Sequence, residues 1–460
     1  MFFGRHRELE LLRSACASNR SEMIPIYGRR RIGKSELIRE LANEQRSLFF
    51  VGKTAPAQLQ LREFLSEAAR IVSEPLLAEL PPNDWKKALT AVLDRAKKPQ
   101  DKLVLVFDEF QWTAAASPEL PSVLQELWDR RLSKSGEVVL ILCGSYVGFM
   151  EREVLGKKSP LFGRRTAQIH LQPFDFLEAA DFHPSWSVTD LAGARFLCGG
   201  VPMYLKLFDR QRSLRQNIEA NFLDTLGPLF KEPDFLLREE LREVDGYFAL
   251  LMAVANGATT QTDIAAQSAI PERSLHYYLR QLEELGYLKR RFPLTAQPPR
   301  ARGVRYAIAD PMLQFWFRFV FPNLSFIQQM GPVRAFRERI AAGLDSYFGA
   351  CFERLCREAL PVLYEREGVQ AAFEVGEFWS KHVQIDVVGL RNDGRIDLGE
   401  CKWGAVRSPG ALQRELTEKL AHYPATPGST IHRRIFVRAK PKSATSGEVR
   451  WHDLRDLYGR

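Results

Sequence analysis

Ile24-Pro25-Ile26-Tyr27-Gly28-Arg29-Arg30-Arg31-Ile32-Gly33-Lys34-Ser35-Glu36-Leu37-Ile38 decides how the first third of the chain must fold. An apolar run that reads as a buried strand enters Gly-x4-Gly-Lys-Ser, and a helix-forming stretch leaves it. Glycines in that spacing let backbone N–H groups face an anion, and the helix N-terminus adds its positive end. The stretch is therefore a phosphate-binding loop. Gly28, Arg31 and Gly33 would line the phosphates, Lys34 would reach the β- and γ-phosphates, and Ser35 would ligate Mg²⁺.

Working outward, Leu103-Val104-Leu105-Val106-Phe107 is a second buried strand, and it ends in Asp108-Glu109. Asp108 is placed to hold Mg²⁺ through water, and Glu109 to polarise an attacking water. Val139-Leu140-Ile141-Leu142 is a third strand, followed by Cys143-Gly144-Ser145. Ser145 either senses the γ-phosphate or closes an ordinary turn. With Leu48 to Val51, these runs alternate with amphipathic stretches, the rhythm of a parallel sheet covered on both faces. Residues 1–172 are thus predicted to be a nucleotide-hydrolysing α/β core, and residues 173–241, which turn helical, a lid.

Residues 242–325 predict a winged helix-turn-helix. Tyr247 to Ala255 is one helix, Thr260 caps a second, and Pro271 opens a third that stops at Gly286. A basic hairpin follows, with Tyr287 to Arg290 and Val304 to Ile308 as its strands. Arg273 and Arg280 on the third helix, with Lys289, Arg290, Arg291, Arg300, Arg302 and Arg305 in the wing, are candidate nucleic-acid contacts. The alternative is a module used only for packing or oligomerisation, and Glu272, Glu283 and Glu284 weaken the DNA case locally. Phe315 to Phe321 carries five aromatics all round one helix, which predicts buried packing and not a stacking platform.

Residues 326–460 predict a second α/β unit. Val383 to Val388 is an alternating strand, Asn392-Asp393-Gly394 a turn, and Ile396 to Lys402 the returning strand. Glu400 and Lys402 share one face by alternation. A three-residue loop with Gly394 left-handed pairs Arg391 with Arg395 and brings Asp386 opposite Glu400 on that face. A two-residue turn would throw Asp386 to the other side. The first register predicts a metal-dependent phosphodiesterase. Asp386 and Glu400 would hold Mg²⁺ with the Cys401 carbonyl, Glu353 would face the same site, and Lys402 would orient the nucleophile. The alternative is a salt-bridged hairpin in a fold that binds but does not cleave.

Bulk composition agrees with these assignments. At 460 residues the chain exceeds one comfortable core. The net charge of +9 suits a polyanion partner. Six scattered cysteines without a CxxC pair argue against a disulfide framework or structural zinc. No apolar run is long enough to span a bilayer, and the first residues lack the pattern of a signal peptide, so a cytoplasmic protein without a membrane partner is expected.

On the quoted loop and Asp108-Glu109, residues Phe3 to about Leu207 resemble the STAND ATPases of the AAA+ type, in the archaeal-type ATPase family akin to origin-recognition ATPases. Phe3-Gly4-Arg5-His6-Arg7-Glu8 resembles the family's GRxxE segment, which implies that Gly4 and Arg5 cup the adenine of ATP. Gly199-Gly200-Val201-Pro202 resembles its nucleotide-contacting lid motif. Pro160 to Thr166 (PLFGRRT) resembles a segment in which Arg164 or Arg165 would complete a γ-phosphate site, in cis or from a neighbour in a homo-oligomer; a surface salt bridge is the equal alternative for both. Asp386…Glu400-Cys401-Lys402, from about Ala342 to Val437, resembles the PD-(D/E)xK restriction-endonuclease-like superfamily, and specifically the domain of unknown function that follows the archaeal-type ATPase. Ile385 stands where that pattern begins with Pro. The resemblance implies an ATPase that controls a Mg²⁺-dependent nuclease on nucleic acid, DNA before RNA. The rival is a nucleotide-controlled DNA-binding switch or scaffold.

Overall fold

The computed structural model describes residues 2–97, 101–297, 303–442 and 447–460. They form two compact units, Met1–Pro173 and Phe174–Arg460.

In the first unit five strands, β1 (Glu22–Tyr27), β2 (Ser47–Val51), β3 (Leu103–Asp108), β4 (Val138–Gly144) and β5 (Ile169–His170), pair in the order β2-β3-β4-β1-β5. Every pairing is parallel. Alternation splits each strand between two cores. From β3, Leu103, Leu105 and Phe107 pack with Phe64 and Trp85 on one side. Val104 and Val106 pack with Leu12, Leu37 and Ile38 on the other. Burial on both faces explains why these strands read as unbroken apolar runs. β4 lies between β1 and β3, so the loops leaving these three strands emerge side by side.

The second unit begins with short helices and continues into three helices, Asp245–Ala255, Gln261–Ser268 and Glu272–Glu284. The Thr260 hydroxyl caps the second by accepting from the Asp263 N–H at 3.2 Å. The antiparallel hairpin β6 (Leu288–Arg291) and β7 (Arg305–Ile308) follows them, the order of elements that the sequence led one to expect of a wing. Phe315, Trp316, Phe317 and Phe319 are buried, as packing predicts, and the Trp316 indole donates to the Phe230 carbonyl.

The long helix Ala341–Arg366 leads into a second five-stranded sheet. Its strands are β8 (Phe373–Trp379), β9 (Gln384–Arg391), β10 (Arg395–Lys402), β11 (Thr430–Val437) and β12 (Val449–Asp453). The order is β12-β11-β10-β9-β8, antiparallel through β8-β9-β10 and parallel through β10-β11-β12. Helix Pro409–Leu420 connects β10 to β11 and seals the face carrying Ile385, Val388, Ile396 and Leu398 with Leu412 and Leu416. Among the described residues no helix is long and apolar enough to cross a membrane.

Candidate active sites

β1 delivers the phosphate-binding loop at its C-terminal end. Gly28 has φ 150°, and a Cβ there would stand 2.3 Å from the Leu171 carbonyl oxygen. Gly33, at φ 90°, caps the helix Lys34–Ala42. Arg31 is also left-handed, at φ 69°. Lys34 is buried, and its ammonium donates to the carbonyls of Gly28 (2.9 Å) and Arg29 (2.8 Å). Burial lowers its pKa, opposed by the nearby Glu109 and Asp108 carboxylates. A buried cation ringed by carbonyls is a ready partner for phosphate.

β3 brings Asp108 to the same place, and Ser35 Oγ donates to Asp108 Oδ2 at 2.7 Å. Glu109 has a left-handed backbone, φ 50°, a conformation that costs energy for a side chain of this size. The turn aims its carboxylate at the loop leaving β4. There Ser145 Oγ donates to Glu109 Oε2 at 2.6 Å, and Gln111 Nε2 donates to the same oxygen. Ser145 is therefore a holder of Glu109. Gln111, which sequence reasoning missed, holds it as well; only its place two residues after the acidic pair could have marked it.

Two sequence expectations change. The Thr166 N–H donates to the Met23 carbonyl, so Arg164 and Arg165 lie beside the start of β1. The loop is at the other end, roughly 13 Å along the strand. Arg164 is committed to a bidentate pair with Asp129, at 2.8 and 2.7 Å, and to the Pro160 carbonyl. A γ-phosphate role in cis is thereby excluded for Arg164, while Arg165 is exposed. Arg5, for its part, is buried and donates to the carbonyls of Ile32 and Gln172. Its guanidinium braces the phosphate loop, leaving the left-handed turn at Gly4-Arg5 to shape the neighbouring wall. Pro202 belongs to the second unit, where it is buried at the start of helix Pro202–Lys206.

The second site is built on β9 and β10. Leu390 pairs with Ile396 and Val387 with Gly399, the register of a three-residue loop, and Gly394 has φ 79°. The pairing of β9 with β10 ends at Val387, where a bulge against β8 falls at Asp386 and Val387 and turns the Asp386 carboxylate to the Cys401 backbone. Asp386 Oδ2 accepts from the Cys401 N–H at 3.0 Å. Asp386 and Glu400 are 6% and 4% exposed, and Glu400 Oε2 is buried without a hydrogen-bond partner. Glu353, from the long helix, lies within reach of the Asp386 charge. Burial, then the charge of Asp386, pushes Glu353 up to about 8 and Glu400 up to about 7. Asp386 is itself raised by burial.

This is a surplus of carboxylates with one orphan oxygen, and it fits a hard divalent cation. Among the described residues, though, no three acidic, His or Cys side chains close tightly enough to enclose a metal. The residues fit Mg²⁺ as a partial shell of Asp386 and Glu400, the rest of its coordination coming from water and substrate. A bound Mg²⁺ would neutralise charge on a phosphodiester held against these carboxylates.

The cation that meets Glu400 is not Lys402. Lys402 is exposed at the end of β10. Lys419, from helix Pro409–Leu420, pairs with Glu400 Oε1 at 2.6 Å and with Glu415 at 3.2 Å. Sequence reasoning missed Lys419; the only signal was its i,i+4 spacing from Glu415.

The predicted nucleic-acid contacts separate. Arg273 is exposed. Arg280 and Arg290 are exposed but ion-paired with Glu284 and Glu283, at 2.9 and 2.8 Å. Arg291 is turned inward against Glu377 of β8, so it is no free backbone contact. Lys289 is exposed on the same strand. Arg302, with Arg300, lies outside the described residues.

Comparison with known proteins agrees with both halves. Residues 2–206 match the family described as an ATPase domain predominantly from Archaea. Residues 316–415 match a family of archaeal and bacterial proteins of unknown function. The uncharacterized protein MJECL04 of Methanocaldococcus jannaschii is 30% identical over 413 residues, 88% of each chain. Among solved structures, the Walker-type ATPase PABY2304 of Pyrococcus abyssi superposes with a TM-score of 0.51 at 20% identity, over 69% of this chain and 96% of that one. The ORC2 protein of Aeropyrum pernix gives 0.48 at 15% identity, over 71% and 95%. With a phosphate-binding loop at one end, a matched domain of unknown function toward the other, and a relative alike along nearly the whole length, this chain belongs to the archaeal-type ATPases that carry that C-terminal domain.

Proposed function

We propose that the protein binds and hydrolyses ATP with Mg²⁺ at the loop of β1, and that this cycle governs a Mg²⁺-dependent nuclease on the C-terminal sheet, acting on DNA. In the first site Lys34 neutralises the β- and γ-phosphates, and Ser35 and Asp108 hold the cation. Glu109, fixed by Ser145 and Gln111, orients and polarises the attacking water. Arg165 is the residue available to a neighbouring copy's nucleotide, should the protein assemble as a homo-oligomer.

In the second site Asp386 and Glu400 hold the cation, and Glu353 adds negative charge beside Asp386. Lys402, at the open end of β10, orients the nucleophile. The observation that carries this reading is the meeting of two buried carboxylates at the end of the β9–β10 pairing, Asp386 on the Cys401 N–H and Glu400 with its Oε2 orphaned. A hairpin serving only stability would pair that oxygen.

The test is cleavage of DNA and RNA, single- and double-stranded, with Mg²⁺ or Mn²⁺, with and without ATP. Cleavage lost in Lys402→Ala and in Asp386→Asn, and altered by ATP or by Lys34→Ala, supports the reading. Binding without cleavage on every substrate turns the protein into a nucleotide-controlled DNA-binding switch.

A further inference from the structure

Lys289 lies two residues before Arg291 on β6, so both side chains leave the same face of the wing. That face is turned toward the C-terminal sheet. Arg291 pairs with Glu377 of β8, and the Leu294 N–H donates to the Glu377 carbonyl at 2.7 Å. The next strand of the wing is fastened too. Arg305 lies 4.7 Å over the Trp379 ring and donates to Gln384 at 3.2 Å. The wing is thus docked along the edge of the sheet that carries Asp386 and Glu400.

The docking puts Lys289 in the neighbourhood of the carboxylates. The charges acting on it are those of Arg354, Arg357, Arg291 and Glu377. Three of these, Arg357, Glu377 and Arg291, also act on Glu353, together with Asp386. The arginines are all engaged. Arg291 and Arg357 share Glu377, Arg357 also donates to the Asp386 carbonyl at 2.6 Å, and Arg354 donates to the Ala309 carbonyl at 2.7 Å. Among the described residues Lys289 has no ion pair, and its side chain remains exposed. Surrounding protein and the three arginines push its pKa down to about 7. A cation reached by solvent yet hemmed in by protein belongs to the wall of a cleft. Placing it among like charges costs stability, and an incoming anion repays that cost.

We propose that Lys289 binds a phosphate of the nucleic-acid backbone beside Asp386, Glu400 and Glu353, so that the wing completes the nuclease cleft. This rests on the nuclease reading of the C-terminal sheet. The wing is then one lip of the active cleft and not a separate docking module. It reaches the substrate at the site of cleavage.

The full-length protein, Lys289→Ala, Lys289→Gln and Lys289→Arg are titrated with a fluorescent DNA duplex in Ca²⁺, at several salt concentrations, and assayed for cleavage in Mg²⁺. Lys289→Ala and Lys289→Gln should each weaken binding roughly tenfold and flatten the slope of log affinity against log salt by about one. Lys289→Arg should restore both. Thermal melting separates a folding defect from a lost contact, because removing a cation from a positive cluster should not lower the melting temperature. An unchanged salt slope in a parent protein that cleaves overturns this proposal and leaves the nuclease standing. A parent that neither binds nor cleaves nucleic acid overturns both.

Discussion

Lys419 Nζ stands 2.6 Å from Glu400 Oε1, and this pair closes the carboxylate site from the helix that follows β10. Burial works against the Lys419 charge, but the hydrogen bond and charge of Glu400 outweigh it and raise its pKa. A metal bound through the orphan Oε2 must compete for the charge of a carboxylate that Lys419 already pairs with through Oε1. Lys419→Met should therefore tighten Mg²⁺ binding several-fold in calorimetry. Without Mg²⁺ it should lower unfolding stability by about 1–3 kcal/mol, because a buried carboxylate loses its partner.

The acidic cluster predicts how stability varies with pH. Glu353 and Glu400 keep their protons in the folded state up to about 8 and about 7, above the ordinary value of 4.5. Between 4.5 and those values the folded chain binds more protons than the unfolded chain, so stability falls as pH rises. Mg²⁺ takes the deprotonated form, and its stabilising effect should grow across the same window. Melting curves from pH 5 to pH 9, with and without Mg²⁺, measure both trends. Parallel curves would contradict a cation site at these residues.

Glu109 is held by two side chains from different elements. Glu109→Gln should leave ATP binding intact and slow hydrolysis at least about a hundredfold. Ser145→Ala and Gln111→Ala should each lower kcat, by roughly tenfold, with little change in KM, because they fix a group used in the transition state. Steady-state ATPase kinetics decide this, and a rise in KM alone would make Ser145 a nucleotide contact instead.

The wing dock should be measurable as a coupling. Arg291 and Glu377 are half-buried and buried, and the double-mutant cycle Arg291→Ala with Glu377→Ala should give about 0.5–3 kcal/mol. A coupling near zero in denaturant melts would mean the wing is not fastened to the sheet in solution.

Arg434 and Asp397 form a pair in which each side chain is 1% exposed, with Tyr364 Oη donating to Asp397 at 2.6 Å and Glu367 gripping Arg434 from the other side. Arg434→Met leaves Asp397 charged and buried. It should cost about 3–5 kcal/mol in chemical denaturation.

What could be read from the sequence follows the range of each interaction. The phosphate loop, its strand and its helix are consecutive residues, so Gly28 to Ser35 declare themselves. The β9–β10 register was legible as far as Val387 and Gly399, because a three-residue turn fixes it locally; the bulge at Asp386 was not. Lys419, Gln111, the Arg164–Asp129 pair and the Arg434–Asp397 pair were not. Each joins side chains whose meeting depends on how a helix or strand packs, and no spacing rule encodes that. The basic wing shows the same limit: Arg290 and Arg291 are adjacent in sequence, yet alternation sends one to Glu283 and the other to Glu377. Charge counted along the chain overstates what remains for a partner.

The turn at Asn392-Asp393-Gly394 makes the second site fragile in an unusual way. A slip to a two-residue turn, pairing Asn392 with Arg395, would preserve both strands, their hydrophobic residues and much of their pairing energy, yet offset β9 by one position against β10. Asp386 would then point away from Glu400. A substitution at Gly394 that favours the shorter turn would part the two carboxylates while keeping the architecture of the sheet, even with every acidic residue still spelled out.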